Sequence, residues 1–477
     1  MKNTKKLKYS INSSVVIIGA IIITLLLNAL LVAFDNKISL EVDLTKDELY
    51  RLTDETKEII DQIDEETKIV VLYNGQQSEI MTILTTIINK YTEENEMIVG
   101  EVVDYYNDPL ALTEYLNAIK ELSYPDYAMI FAQGDKYDTA EVSSYVTSSG
   151  YSNIENIITN KLATFVDGFQ ISEILMTEGH GEKGNAGFSA VLSMYNYQMN
   201  SINLLTEDLP DDEHSLVIIN APTADFSAEE IEKLDKFLDR GGNVQVYFDP
   251  MVSNEELPRL EGYLSENWGI VRNHSVIVDS DKKIEVSEKV AELCGTVSMA
   301  ELADSSIVSP VKNSKKNIVY SAANALEIAA DVEKNVEVET VLETTENAVL
   351  RELSAINEPV VGGVMKSKYN VMITSTHSNY TLDEQIYTGR VVVCGSSYMM
   401  DTLIGDSRYA NEDLLINSIN WMRGSEAGIT VRAKEIPEGG LAVSTAQFWG
   451  WFIGLVVVIP VFLLAFGIFV FIKRRYK

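Results

Sequence analysis

Between residues 215 and 250 the spacing of apolar positions changes from strand to helix and back to strand. Leu216 to Ile219 is a short continuous apolar run that ends in Asn-Ala-Pro, the pattern of a buried strand. Ser227 follows, with Glu230 three residues on, a capping box in which each side chain covers a backbone N–H at a helix start. Ile231, Leu234 and Leu238 recur at helical spacing and give one apolar face. Gly241-Gly242 supplies a left-handed stop after Arg240. Val244 to Phe248 is a second buried run, closed by Asp249-Pro250. Strand, crossover helix and strand make a βαβ unit, and hence a parallel pair in an α/β sheet.

The same alternation runs along much of the chain. Thr53 to Ile63 reads as a helix with Thr53 as cap, and Ile69 to Tyr73 as a strand. Ser78 to Tyr91 (helix), Ile98 to Tyr105 (strand), Leu110 to Leu122 (helix) and Tyr127 to Phe131 (strand) complete a small α/β domain. Asp135 to Tyr151 reads as a loop or hairpin, and Asn153 to Val166 as a helix leading into a second domain. There, Ile171 to Met176 is a strand, Ala186 to Tyr197 a helix and Met199 to Leu205 a strand, before the unit at 215–250. Glu256 to Trp268 is a helix. Residues 275–390 show only short strand-like runs between polar linkers. Arg390 to Cys394 is again a buried strand, and Asn411 to Met422 a helix.

Two apolar runs differ from everything else. Val15 to Phe34 is twenty residues and Phe448 to Ile472 twenty-five, and neither holds a charge. Each reaches the roughly 20 residues needed to cross hydrocarbon. Lys2, Lys5, Lys6 and Lys8 precede the first; Lys473, Arg474, Arg475 and Lys477 follow the second. The positive-inside rule then puts both termini in the cytoplasm and the chain between them outside. The expected architecture is α/β: two transmembrane helices flanking an extracytoplasmic region with a small α/β domain and a larger parallel-sheet α/β domain. The boundaries are a tail at 1–13, a span at 14–34, a first domain at 35–150 and a second at 151–423 with an insertion near 275–390. A linker at 424–447, a span at 448–472 and a tail at 473–477 follow. The expected localisation is a bacterial cell membrane, multi-pass.

Charge narrows the function. The formal net charge is −33, and a surface this acidic repels nucleic acid, so no nucleic-acid partner is expected. Cys294 and Cys394 are the two cysteines. A bridge and two free thiols both remain open, and the core-strand position of Cys394 favours free thiols. There is no G-x-x-x-x-G-K-[ST] for ATP, no G-x-S-x-G, and no H-E-x-x-H or C-x-x-C for a metal. No catalytic residue, metal or cofactor is assigned.

Several stretches taken together resemble the GldG family, auxiliary components of bacterial ABC transport systems named for gliding motility. They are Asp43-Leu44-Thr45 with Tyr50, Leu52-Thr53 and Thr56-Lys57; the turn Gly179 to Glu182; the unit at 216–250; and Val393 to Ser397 followed by Asn411, Asn417, Asn420 and Trp421. The match is weakest at 275–350. The resemblance implies that the larger domain is glutamine-amidotransferase-like. It also implies as partners an ABC ATPase subunit and a multi-span permease, beside the lipid bilayer. Amidotransferase chemistry requires a nucleophilic Cys on a tight strand-to-helix turn. Here that turn carries Ser396 and Ser397, and Cys394 lies before it.

The sharpest polar feature is Gly179-His180-Gly181-Glu182. It follows a strand, so it belongs at the carboxyl edge of the sheet, where open α/β sheets bind ligands. Asn220, Asp249 and Ser396 each end a parallel strand and join it there. His180, Gly181, Glu182, Asn220, Asp249 and Ser396 are therefore the expected ligand-binding residues. The competing reading is a tight turn whose histidine caps a neighbouring loop. The functional expectation is a non-ATPase auxiliary membrane subunit of an ABC transport system that binds an envelope ligand or partner protein. The alternatives are an altered hydrolase using His180 and Glu182, and a purely structural scaffold.

Overall fold

A computed structural model describes residues 48–436, apart from 77, 147–149, 168, 170–171, 185, 211–214, 315, 333–334, 357–364, 381–385, 399–402, 424–430 and 432, together with the separate positions 45, 453 and 472. The chain divides into two compact units, Met1–Leu49 with Pro437–Lys477, and Tyr50–Ile436. In the first, the described residues include Thr45 and Leu49, whose N–H donates to Thr45 Oγ1 at 2.7 Å.

Among the described residues no helix is long and apolar enough to cross a membrane. The helix Glu79–Glu94 has 16 residues and one buried face, short of the roughly 20 apolar residues that hydrocarbon requires. This overturns the two transmembrane helices, the multi-pass membrane localisation and the extracytoplasmic placement of the α/β region. The runs Val15 to Phe34 and Phe448 to Ile472 fall outside the described residues, except for Ile453 and Ile472.

The second unit is α/β. Its smaller sheet has four strands, with Ile98–Asp104 at one edge, Thr67–Tyr73 next, then Met129–Gln133 and Lys136–Ala140. The first two pair in parallel and the last two form an antiparallel hairpin. The helix Asp54–Ile60 starts where Thr53 Oγ1 accepts from the Thr56 N–H. Ser78 does the same for Met81 at the start of Glu79–Glu94. These caps satisfy backbone donors that the helix itself leaves unpaired.

Among the described residues the larger sheet has eleven strands. Five are parallel: Ser172–Thr177, Tyr197–Ile202, Leu216–Asn220, Asn243–Tyr247 and Ile386–Cys394. The expected insertion supplies antiparallel strands that extend this sheet beyond Ile386–Cys394, beginning with Asn370–Tyr380. The partial exposure of strands such as Val336–Glu343 leaves little apolar period there. The helices Ala186–Met194 and Asn411–Arg423 pack on one face of the sheet. Ala228–Asp239 and Pro258–Trp268 pack on the other. Burial on both faces is why the parallel strands read as continuous apolar runs.

The helix Ile154–Ala163 joins the two sheets, and nine of its ten residues are buried. Its isoleucines belong to the core of the small domain. From its other side, the Asn160 carbonyl accepts from Asn196 Nδ2 at 2.6 Å. Glu155 Oε1 accepts from the Thr53 N–H and the Thr56 hydroxyl, and Glu155 Oε2 lies 2.5 Å from Lys434 Nζ. Lys434–Glu435, within the stretch read as a linker, forms a strand pair with Tyr151–Ser152. The chain thus returns to the small domain after the large one. Glu155→Ala strands the buried Lys434 ammonium and frees the start of the first helix. It should lower stability by roughly 3 kcal/mol in urea unfolding, and a loss below about 1 kcal/mol would show that solvent replaces the carboxylate.

Candidate functional site

Across the sheet the five parallel strands lie in the chain order second, first, third, fourth, fifth. The order reverses between Ser172–Thr177 and Leu216–Asn220. A crevice opens at such a reversal because the connections leave toward opposite faces, and it lies outside the carboxyl ends of the strands. The turn at 179–182 and the loop at 221–227 flank this point.

The crevice is filled by the protein's own side chains. His180 is only 4 % exposed. Its ring stacks on Phe226 with centroids 3.8 Å apart. Nδ1 lies 3.3 Å from Glu182 Oε1, and Nε2 lies 3.2 Å from Glu230 Oε1. The His180 N–H donates to Glu182 Oε2 at 2.8 Å. The His180 carbonyl accepts from the N–H groups of Thr223 and Ala224 at 2.8 and 2.9 Å. Gly181 sits at φ +68°, and a Cβ there would meet Thr223 Oγ1 at 2.2 Å. Both the conformation and the space therefore require glycine.

Glu230 is also the capping-box residue. Its Oε2 accepts from the Ser227 N–H at 2.8 Å, and its N–H donates to Ser227 Oγ. The hydrogen bond to Glu182 raises the His180 pKa, with Glu230 adding to it against the effect of burial. Burial pushes the Glu182 carboxyl up, but bonds from the His180 ring and from backbone N–H groups outweigh it and hold the pKa below the usual value.

A second group lies beside the first. The Lys183 N–H donates to the Asn220 carbonyl at 2.9 Å, and Asn220 Nδ2 donates back to the Lys183 carbonyl at 3.3 Å. Lys183 Nζ reaches Asp249 Oδ2 at 3.3 Å and Ser397 Oγ at 3.4 Å, and lies 4.3 Å from the centre of the Tyr398 ring. The Ser397 hydroxyl donates to the same Asp249 oxygen. Ser396 turns away, its Oγ 2.7 Å from Ser321 Oγ. The six expected residues therefore do not form one pocket. His180, Gly181 and Glu182 build the plug, Asn220 and Asp249 hold Lys183, and Ser396 belongs to a buried serine pair.

Lys183, Phe226, Ser321 and Ser397 are not among the six expected ligand-binding residues, and in the sequence Glu230 is legible only as a cap. A signal for Lys183 existed, because it directly follows the Gly-His-Gly-Glu turn. Cys294 and Cys394 are both buried and are not joined in a disulfide. Burial, with the Asp249 charge nearby, pushes the Cys294 thiol up to about 11, and burial alone dominates the rise of Cys394 to about 12. Neither is a thiolate nucleophile near neutral pH. Among the described residues no group of three His, Cys, Asp or Glu is arranged to hold a metal ion. A groove of about 700 Å³ runs along the outer side of the helix Ala228–Asp239, between Asp208 and Arg240.

No family model matches the chain, and no curated protein matches it. Among solved structures it is similar to the mmIFT52 N-terminal domain, at 15% identity over 54% of this chain and 99% of that one, with TM-score 0.37. It is also similar to PurLQS from Thermotoga maritima, at 11% identity over 53% and 100%, with TM-score 0.30. A putative thua-like protein from Parabacteroides merdae matches at 12% identity over 57% and 94%, with TM-score 0.30. Likenesses at this level carry no argument about function.

Two predictions follow from the geometry. The raised His180 pKa contributes stability that is complete below its ordinary value of 6.5 and is lost as pH rises through the higher folded value. The lowered Glu182 pKa contributes stability present above 4.5 and lost as pH falls through the folded value. His180→Gln should therefore cost most between pH 4.5 and 6.5, by about 1–3 kcal/mol, and less at alkaline pH. Denaturant melts of both proteins across pH check this, and a cost that is flat with pH would remove the ionic part of the account. For the thiols, a maleimide reagent should leave native Cys294 and Cys394 unlabelled at neutral pH and label both after unfolding without reductant.

Proposed function

We propose that this chain is a binding protein, the non-ATPase auxiliary subunit of an ABC transport system, which holds a polar ligand or a partner protein without transforming it. The observation that carries the non-catalytic part is the filled crevice. His180, Glu182, Phe226 and Glu230 take up the switch-point position and spend their polar atoms on one another. An imidazole with both nitrogens held by carboxylates and its face stacked on a ring has no atom left to act as a base on a substrate. The transport assignment rests on the GldG resemblance, and the ABC ATPase and permease enter through it.

Lys183 is the group at this edge that suits binding. Its side chain keeps 17% exposure while Asp249, at 1%, fixes it from behind. A ligand with a carboxylate or phosphate would find one lysine donor held in place by Asp249, Ser397 and the Tyr398 ring.

Affinity purification of the tagged full-length chain from its own cells, in mild detergent, should recover an ATP-binding subunit and a multi-span permease. Repeated failure to recover an ATP-binding subunit would remove the transport assignment. The hydrolase alternative is tested separately. Ester, amide and glycoside turnover by the purified chain should be absent, and turnover that disappears in His180→Ala but survives in the equally destabilised Phe226→Ala would establish an enzyme.

A further inference from the structure

The small domain has its own carboxyl edge, where Thr67–Tyr73 and Ile98–Asp104 end and Met129–Gln133 begins. Three loops meet there, at 74–76, 104–110 and 123–127. Together they carry four tyrosines, Tyr105, Tyr106, Tyr124 and Tyr127, and three aspartates, with no lysine, arginine or histidine. The helix Glu79–Glu94 also begins at this edge, with its positive end offset by the Ser78 cap and by Glu79.

Asp126 is the centre of the group. Its Oδ2 accepts from Asn74 Nδ2 at 2.9 Å and from the Tyr124 hydroxyl at 3.3 Å, and its Oδ1 accepts from the Tyr105 hydroxyl. The Tyr105 hydrogen bond, more than any other influence, holds the Asp126 carboxyl below its usual pKa, so it is ionised near neutral pH. Tyr127 adopts φ 60°, a left-handed conformation for a bulky residue, and its hydroxyl donates to the Gln76 carbonyl at 2.9 Å. Such strain is held only where surroundings enforce it, and it gathers at functional sites. Tyr106 and Tyr124 are 74% and 55% exposed. A Cβ at Gly75 would lie 3.5 Å from the Tyr106 ring, which places that ring against the loop that carries Asn74.

Tyr106 and Tyr124 leave aromatic surface open to a partner beside the fixed carboxylate. Ring faces carry negative potential, and a carboxylate adds to it. None of the three loops contributes a basic side chain to offset that potential. We propose that the Asp126–Tyr105–Tyr106–Tyr124–Tyr127 cluster is a binding site for an organic ammonium group. The site is independent of the edge that holds His180 and Lys183.

Calorimetric titration of the full chain tests this with choline, butylamine and 3,3-dimethyl-1-butanol, the neutral carbon counterpart of choline. At least one of the two cations should bind at millimolar concentration, and the neutral compound roughly tenfold more weakly or not at all. The stronger cation tells a quaternary from a primary ammonium. Tyr106→Ala and Tyr124→Ala remove exposed rings and spare the core, and each should weaken binding about fivefold. Asp126→Asn keeps an acceptor for the tyrosine hydroxyls but loses the charge, and should weaken it too. Equal binding of the neutral compound, no binding of either cation, or native affinity in all three variants would overturn the proposal.

Discussion

The carboxylate of Glu230 serves two structures at once. One oxygen accepts the N–H of Ser227 and so starts the helix Ala228–Asp239, and the group as a whole sits against the His180 ring. The helix start and the turn after the first parallel strand are therefore one assembly. Stacking on Phe226 and the bonds from Thr223 and Ala224 tighten it. A ligand entering the switch point would have to break a buried ion pair and uncap a helix, a cost of several kcal/mol. The natural site of this sheet architecture is thus closed by the elements that build it, and Lys183 lies beside it with part of its side chain exposed.

Most of the fold is legible in the sequence because its signals are local. The caps Thr53, Ser78 and Ser227 appear where the apolar period demands a helix start. The stretches Leu216–Asn220 and Asn243–Tyr247 are apolar throughout because helices cover both sides. What escaped was non-local. The strand Ile270–Val278 pairs with Asn324–Ile328 and Val349–Arg351, more than forty residues on, and Val336–Glu343 pairs with Asn370–Tyr380 across 27 to 41 residues while exposing alternate residues. Apolar content also misled, because hydropathy and flanking charge alone suggested membrane spans at the two ends.

The candidate site shows the same division. Gly179 to Glu182 stood out as a polar turn at a strand end, and it is one. Its meaning depended on Phe226 and Glu230, about fifty residues on, whose roles no spacing rule announces. Ser396 and Ser397 are neighbours in sequence, yet one faces Ser321 and the other Asp249. A tight turn sends adjacent side chains to different environments, so sequence proximity could not say which would join Lys183.

The return of the chain to the small domain has a mechanical consequence. Lys434 lies against Glu155 and the Arg51 carbonyl, and Lys434–Glu435 pairs with Tyr151–Ser152. The large sheet is spliced between these points, in series along the backbone but in parallel for any tension. A pull applied between residues 50 and 436 is borne first by this short clasp and the helix Ile154–Ala163, and it bypasses the large sheet until the clasp gives way. The clasp is thus a fuse: while it holds, the geometry around Lys183 is shielded from strain transmitted through the ends of this unit.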